Sequence, residues 1–309
     1  MTCEDVRLAA ARINRMEVRG AGKIARCAAR ALESCASSSR ARTREEFIRE
    51  LEESGKILIS ARPSAVSLPN AVRFILNRVK ESPGDVEELR PLTIATARDF
   101  VEKSLKAVKM IGEIGARRVR DGDVIMTHCH SNAALSVIVT AWEQGKKIRV
   151  FATEARPRYQ GHITVRTLAE KGIPCTLIVD SAARTFMKGV DKVIVGADSI
   201  AANGAVINKI GTSQIALAAN EARVLFMVAA ESYKFSPMTL IGELVEIEER
   251  PPLEVADPRE FKGVRIRNPA FDVTPPEYID LIVTEKGVIP PQAAFVVIRE
   301  EFGWALRGD

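Results

Sequence analysis

A change of hydrophobic period near Asp121 constrains this chain more than any other feature of its sequence. From Cys3 to about Arg120 the apolar residues recur at intervals of three and four, as in Ile24, Cys27, Ala28 and Leu32, or Ile94, Ala97, Val101, Leu105 and Val108. That is the period of packed amphipathic helices. Beyond Asp121, short β-rich apolar runs alternate with helical stretches, which is the pattern of a parallel sheet covered by helices. The expected strands are 123–127, 149–153, 175–179, 192–196, 224–228 and 280–284. The helices expected with them are 133–143, 163–171, 183–187, 213–222 and 292–301. The fold class is therefore α/β, with a helical N-terminal domain over 1–120 and a parallel-sheet domain over 121–309. Within the helical part, Pro63 and Pro69 bracket a break from Ser64 to Pro69, ahead of a helix expected to begin near Asn70.

Composition excludes several classes. With 309 residues, 46% hydrophobic and 28% charged, the chain can bury a large core and does not have the make-up of a disordered protein. No run approaches the roughly 18 apolar residues of a membrane span, and the N-terminal MTCEDVRLAAARINRMEVRG is charged where a secretion signal is apolar. The expectation is a cytoplasmic protein with no membrane partner. Five cysteines, Cys3, Cys27, Cys35, Cys129 and Cys175, are an odd number without framework spacing and read as free thiols. A net charge of +5 is spread along the chain among acids, and only 5% of residues are aromatic. Both facts argue against a nucleic-acid partner.

Ligands of open α/β sheets bind beyond the carboxyl ends of the strands, and here those positions are polar. His128-Cys-His-Ser-Asn132 follows the first strand, Glu154-Ala-Arg-Pro-Arg158 the second, Asp180-Ser181 the third and Ala197-Asp-Ser199 the fourth. Glu231-Ser-Tyr-Lys234 follows the fifth, and Asn208-Lys209 lies between the fourth and fifth. Polar residues belong at strand ends in any protein. A thiol between two imidazoles at a helix start is more specific, because cations and helix N-terminal amides stabilise a thiolate; the alternative for Cys129 is an ordinary buried thiol. Cys175, behind Pro174 in an apolar run, reads as core, and His162 as a cap or surface residue. His128, Cys129 and His130 make too small a ligand set for zinc, which takes three or four protein ligands, so no metal is expected. Gly20-Ala-Gly-Lys-Ile24 lacks the upstream glycine, the hydroxyl after lysine and the preceding strand of a nucleotide-triphosphate loop. The turn after the first strand has no glycine, so the dinucleotide fingerprint is missing as well and no nicotinamide cofactor is expected. What Arg19-Gly-Ala-Gly22 offers is exposed amides at a helix start beside a cation, which suits a phosphate monoester. The alternative is a plain helix-entry turn. Arg62, Lys209 and Lys234 carry weight only if they converge.

At these residues the chain resembles the archaeal ribose-1,5-bisphosphate isomerases, in a wider family with methylthioribose-1-phosphate isomerase and the regulatory subunits of the translation-initiation exchange factor. The resemblance covers nearly the whole chain. It is carried by Arg19-Gly-Ala-Gly-Lys-Ile-Ala-Arg26, Arg62-Pro-Ser-Ala-Val-Ser-Leu-Pro-Asn70, Met126-Thr-His-Cys-His-Ser131, Gly196-Ala-Asp-Ser199, Asn208-Lys-Ile-Gly211, Asn268-Pro-Ala-Phe-Asp-Val-Thr-Pro-Pro276 and Glu300-Glu-Phe-Gly-Trp304. It implies a Rossmann-like second domain, an active site at the domain junction, and conversion of ribose-1,5-bisphosphate to ribulose-1,5-bisphosphate. In that reaction Asp198 is the acid toward the ring oxygen, and Cys129 removes the C2 proton to give a cis-phosphoenolate. Substrate contacts carry over to Arg19, Gly20, Ala21, Gly22, Arg62, Ser131, Asn132, Ala133, Asn208, Lys209 and Lys234. Asn132 stands where some relatives have lysine. The resemblance further implies AMP as an activator, assembly as a homo-oligomer (dimer or hexamer), and a place in AMP breakdown that feeds Rubisco. Two other readings stay open, a methylthioribose-1-phosphate isomerase and a non-catalytic regulatory subunit.

Overall fold

Alanine-rich helical stripes build the first part of the chain. Helices α1 (Glu4–Asn14), α2 (Ala21–Ser38), α3 (Arg44–Ala61), α4 (Ser67–Glu81) and α5 (Val86–Ala116) follow one another in a computed structural model that describes residues 3–63 and 65–303. On α2, Ile24, Ala28, Leu32 and Cys35 form one fully buried stripe, with Ala25, Ala29 and Ala36 beside it; their spacing is that of a single helix face. Thr43 begins α3 by accepting the Glu46 amide on its hydroxyl, and the Glu46 carboxylate accepts the Arg42 amide. Both bonds satisfy donors that a helix start leaves open. Helix α4 begins at Ser67, three residues before the expected Asn70. Pro69 sits in its first turn, where a missing N–H removes no helical bond, so this proline belongs to the helix. Ser64, the other end of the expected break, lies outside the described residues, as does Trp304.

The described residues divide into two units, the first ending at Lys106 and the second running Ala107–Gly303. The division falls inside α5, where helical periodicity runs on unbroken. The last turns of α5 go with the sheet because Ile111 and Ala116 share a buried cluster with Val137 and Ile138. The Ser136 hydroxyl also donates to the Val108 carbonyl at 2.8 Å.

In the sheet unit the described strands are β1 (Val124–Thr127), β2 (Arg149–Thr153), β3 (Cys175–Ile178), β4 (Lys192–Val195), β5 (Ser199–Ile200), β6 (Val206–Lys209), β7 (Leu225–Ala229), β8 (Phe271–Thr274), β9 (Leu281–Thr284) and β10 (Gly287–Ile289). Between and after them run α6 (Asn132–Glu143), α7 (Gln160–Glu170), α8 (Ala183–Met187), α9 (Thr212–Ala222) and α10 (Ala294–Phe302). All six expected strands are present. With β10 they form one seven-stranded sheet in the order β10-β9-β7-β4-β1-β2-β3, parallel throughout except for the edge strand β10, which runs antiparallel to β9. After β1 the chain moves toward β2 and β3; after β4 it continues on the other side. The boundary between β1 and β4 is the topological switch point, where such sheets open a crevice at their carboxyl edge.

A second, antiparallel sheet of β5, β6 and β8 was not expected. It makes Asn208 and Lys209 strand residues, paired with Asp272 and Phe271. No helix among the described residues is long and apolar enough to cross a membrane.

Candidate active site

Cys129 and Asp198 leave the sheet on either side of the switch point, one just beyond β1 and the other just beyond β4. Cys129 has a left-handed backbone, φ 65°, sparsely populated for a residue with a Cβ and found where a chain must turn sharply. Two bonds hold that turn. The Thr164 hydroxyl donates to the Cys129 carbonyl at 2.7 Å, which uses its only proton, so it accepts from Nδ1–H of His130 at 3.1 Å. Ser131 then caps α6, its hydroxyl accepting the Ala134 amide at 3.3 Å. Asn132 and Ala133 form the first turn of that helix, where amides have no helical acceptor.

The expectation of a thiolate held by two imidazoles is overturned. Burial pushes the Cys129 thiol up to about 11; the Lys209 cation and the His130 backbone amide oppose the rise, and the carboxylates of Asp198 and Asp180 add to it. The resting group is a neutral thiol. His128 supplies no charge either, since burial lowers its pKa, more than offsetting the opposing pull of Asp180 and the Ile210 carbonyl. The cation acting on the sulfur is Lys209. The structure therefore brings Cys129, Asp198 and Lys209 into one electrostatic neighbourhood.

Lys209 is buried, its Nζ bonded to the Ala270 carbonyl at 2.9 Å and set 5.2 Å from the centre of the Phe271 ring. Among the described residues no carboxylate lies within ion-pair distance of it, and burial lowers its pKa. Asn208 is buried beside it and donates to Thr212 Oγ1 at 3.0 Å. Asp198 is half-buried, with its amide on the Ile207 carbonyl at 2.9 Å.

Lys234 is placed differently. It ends a one-turn 3-10 helix beyond β7, buried with its Nζ 2.7 Å from Glu231. Burial pushes the Glu231 carboxyl up, but Lys234 and the Tyr233 hydroxyl overcome it and leave the group below its ordinary range. The Lys234 charge is thus already matched, whereas that of Lys209 is not.

Arg19, Gly20, Ala21, Gly22 and Arg62 belong to the helical unit. Gly20 precedes α2 with φ 85°, and no atom lies within 4 Å of where a Cβ would stand. That leaves open approach to the backbone of the helix start, which only glycine permits without strain. The Arg19 Nε donates to the Met16 carbonyl at 2.7 Å, and Arg62 ends α3 with its amide on Ile59.

Asp272 on β8 was quoted in the sequence without a role. One carboxylate oxygen accepts the Gly211 amide at 2.7 Å and the Ser213 amide at 3.1 Å, at the start of α9; the other is buried without a partner. Burial raises this carboxyl to about 6, against the opposing amides and Lys209. Perturbed acids of this kind cluster at functional sites, and the signal for this one lay in the tertiary pairing of β6 with β8. His162 lies in the first turn of α7 against Tyr159. Cys175 is half-buried on the edge strand β3, packed against the core rather than inside it. No group of three or more His, Cys, Asp or Glu among the described residues is placed to hold a metal ion.

Comparison with known proteins gives concordant results. A model described as the Initiation factor 2 subunit family matches residues 17–291. A Thermococcus kodakarensis protein named ribose 1,5-bisphosphate isomerase is 57% identical over 305 residues, 96% of this chain and 95% of the relative. An Acetivibrio thermocellus protein named methylthioribose-1-phosphate isomerase is 40% identical over 295 residues, 90% of this chain and 86% of the relative. Among solved structures, one titled translation initiation factor eIF-2B, from Pyrococcus horikoshii, superposes with a TM-score of 0.81 at 34% identity, over 94% of this chain and 98% of its own.

Proposed function

The chain belongs to the Initiation factor 2 subunit family, and from that premise we propose that it is an aldose–ketose isomerase converting ribose-1,5-bisphosphate to ribulose-1,5-bisphosphate. The observation that carries this reading is the thiol of Cys129 beside Lys209 and Asp198 at the switch point of the sheet. Identity of 57% to a relative of that name, against 40% to one named for methylthioribose-1-phosphate, favours the bisphosphate.

The reaction opens the furanose ring, moves the C2 proton and returns a proton to C1. Asp198 protonates the ring oxygen as its bond to C1 breaks. Cys129 as thiolate takes the proton from C2, leaving a cis-phosphoenolate; the same sulfur delivers it to C1 while the Asp198 carboxylate recovers the proton of the C2 hydroxyl, so that the C2 carbonyl forms and both groups return to their starting state. A thiol titrating near 11 is ionised to only about one part in ten thousand at pH 7. Its thiolate is correspondingly a strong base toward carbon, and the role assigned to Lys209 is to lower the cost of forming it. Ser131, Asn132, Ala133, Asn208, Lys209 and Lys234, with Arg19, Gly20, Ala21, Gly22 and Arg62, are assigned to the two phosphates and the sugar. By family resemblance we add AMP as activator, a homo-oligomer as the working form, and a role in AMP breakdown that feeds Rubisco.

Cys129→Ser and Asp198→Asn should each fold normally, bind the bisphosphate and lose nearly all turnover, on the order of 10²–10⁴-fold or more. The wild type should gain activity as pH rises above neutral, following the thiolate. Substantial turnover in either variant would remove the acid–base assignment. Preference for methylthioribose-1-phosphate in a side-by-side assay would remove the substrate.

A further inference from the structure

We infer that His128 is a positioning residue, a strut that fixes the distance between the thiol of Cys129 and the ammonium of Lys209. The inference rests on the assignment of those two residues to the isomerase site.

A histidine next to a reactive cysteine suggests a general base, but the geometry leaves no room for that role. The ring is 1% exposed, and both nitrogens are engaged. Nε2 lies 2.8 Å from the Ile210 carbonyl, which can only accept, so this nitrogen carries the proton. Nδ1 lies 2.5 Å from the Thr153 hydroxyl at the end of β2. Since burial disfavours the charged ring, Nδ1 is bare and Thr153 donates to it. The tautomer is thereby fixed, and neither nitrogen is left to take the thiol proton.

These bonds act on the site through sequence adjacency. His128 directly precedes Cys129, and Ile210 directly follows Lys209. One imidazole therefore ties the turn bearing the sulfur to the end of the strand bearing the cation, across the boundary between the two sheets. The slot for it has little slack. A Cβ on Gly211 would stand 3.2 Å from the ring. The Gly211 amide is held by Asp272, and the Ile210 amide by the same Ala270 carbonyl that receives Lys209 Nζ. On the other flank, Asp180 lies 3.9 Å from Nδ1 and is committed to the amides of Ala155 and Arg156. Burying a polar ring costs free energy unless both of its partners are kept. An apolar side chain would fill the volume, so what imidazole adds is the connection.

Asparagine and glutamine separate the two halves of the strut. The asparagine amide reaches about as far as Nδ1 and can keep Thr153; the glutamine amide reaches about as far as Nε2 and can keep Ile210. His128→Gln should retain turnover within roughly tenfold of wild type. His128→Asn should lose kcat by on the order of 10²-fold, the scale of a small misplacement at a reacting centre, with KM changed less, because the other residues assigned to the phosphates are untouched. The alkylation rate of Cys129, read by peptide mapping with iodoacetamide at fixed pH, should fall about tenfold in His128→Asn and stay near wild type in His128→Gln. If His128→Asn does not fold, His128→Leu, which fills the volume but gives up the bond to Ile210, must show the lower kcat and the slower alkylation. Equal losses in both folded variants with unchanged alkylation would reduce His128 to a filler and overturn the inference. Failure of the wild type to turn over ribose-1,5-bisphosphate would instead overturn the functional reading, and the alkylation rates would still decide the coupling between Cys129 and Lys209.

Discussion

Replacing Asp272 by asparagine should stabilise this protein, and only above a definite pH. The carboxyl is raised from an ordinary 3.8 to about 6, chiefly by burial, so the folded state favours its protonated form. That preference is fully expressed below pH 3.8 and is lost as pH rises through about 6. The gap between the two values corresponds to on the order of 3 kcal/mol, borne by the folded wild type at neutral pH and above. Asparagine keeps an acceptor for the Gly211 and Ser213 amides. Its NH2 group replaces the buried oxygen that has no partner, one unpaired polar group for another. Urea unfolding of both proteins at several pH values tests this, and the contribution of His128 cancels because both contain it. Near pH 4 the two curves should nearly coincide; by pH 8 Asp272→Asn should be the more stable by up to about 3 kcal/mol. A difference independent of pH, or a less stable variant at pH 8, would show that the amides and Lys209 outweigh burial at this carboxylate.

Two further substitutions follow from local geometry. Lys192 and Asp123 form a buried pair at 2.7 Å, with the Arg120 amide also on the carboxylate, so Lys192→Met should cost about 3–5 kcal/mol in chemical denaturation by stranding a buried charge. Gly20→Ala meets no atom within 4 Å but forces an alanine to φ 85°, so a loss of about 1–3 kcal/mol in thermal unfolding is expected from backbone strain alone.

The legibility of the sequence followed the range of the forces involved. The six long strands of the main sheet are apolar runs of four or five residues between polar ends, and their positions agree with expectation to within one residue or so. The second sheet had no such signal. Strand β5 is two residues long, β6 places Asn208 and Lys209 inside the protein, and β8 is closed by prolines. Polar residues buried by tertiary pairing do not look like strand residues until the partner is known. The same limit applies at the site. Strand-end logic led to Cys129 and Asp198, but the protonation of the thiol depends on burial and on Lys209, some eighty residues away in sequence. Two flanking histidines therefore suggested a thiolate that the fold does not produce.

The short antiparallel sheet explains how a parallel one can bring a cation to this thiol. At an ordinary carboxyl edge each strand runs into a loop and then a covering helix, and the side chains presented there come from separate turns. Here the chain leaves β4 through Asp198 and enters β5 directly, then returns along β6. That return places Lys209 at a strand end, where ladder bonds from β8 and the Ala270 carbonyl restrict it far more than a loop would. A flexible lysine stem loses much rotamer entropy when ordered. In this fold that loss is taken during folding, so in the proposed mechanism it would not recur at each turnover. Positioning of charge before the reaction is the general source of electrostatic rate enhancement, and in the proposed mechanism it would depend on the pairing of β6 with β8.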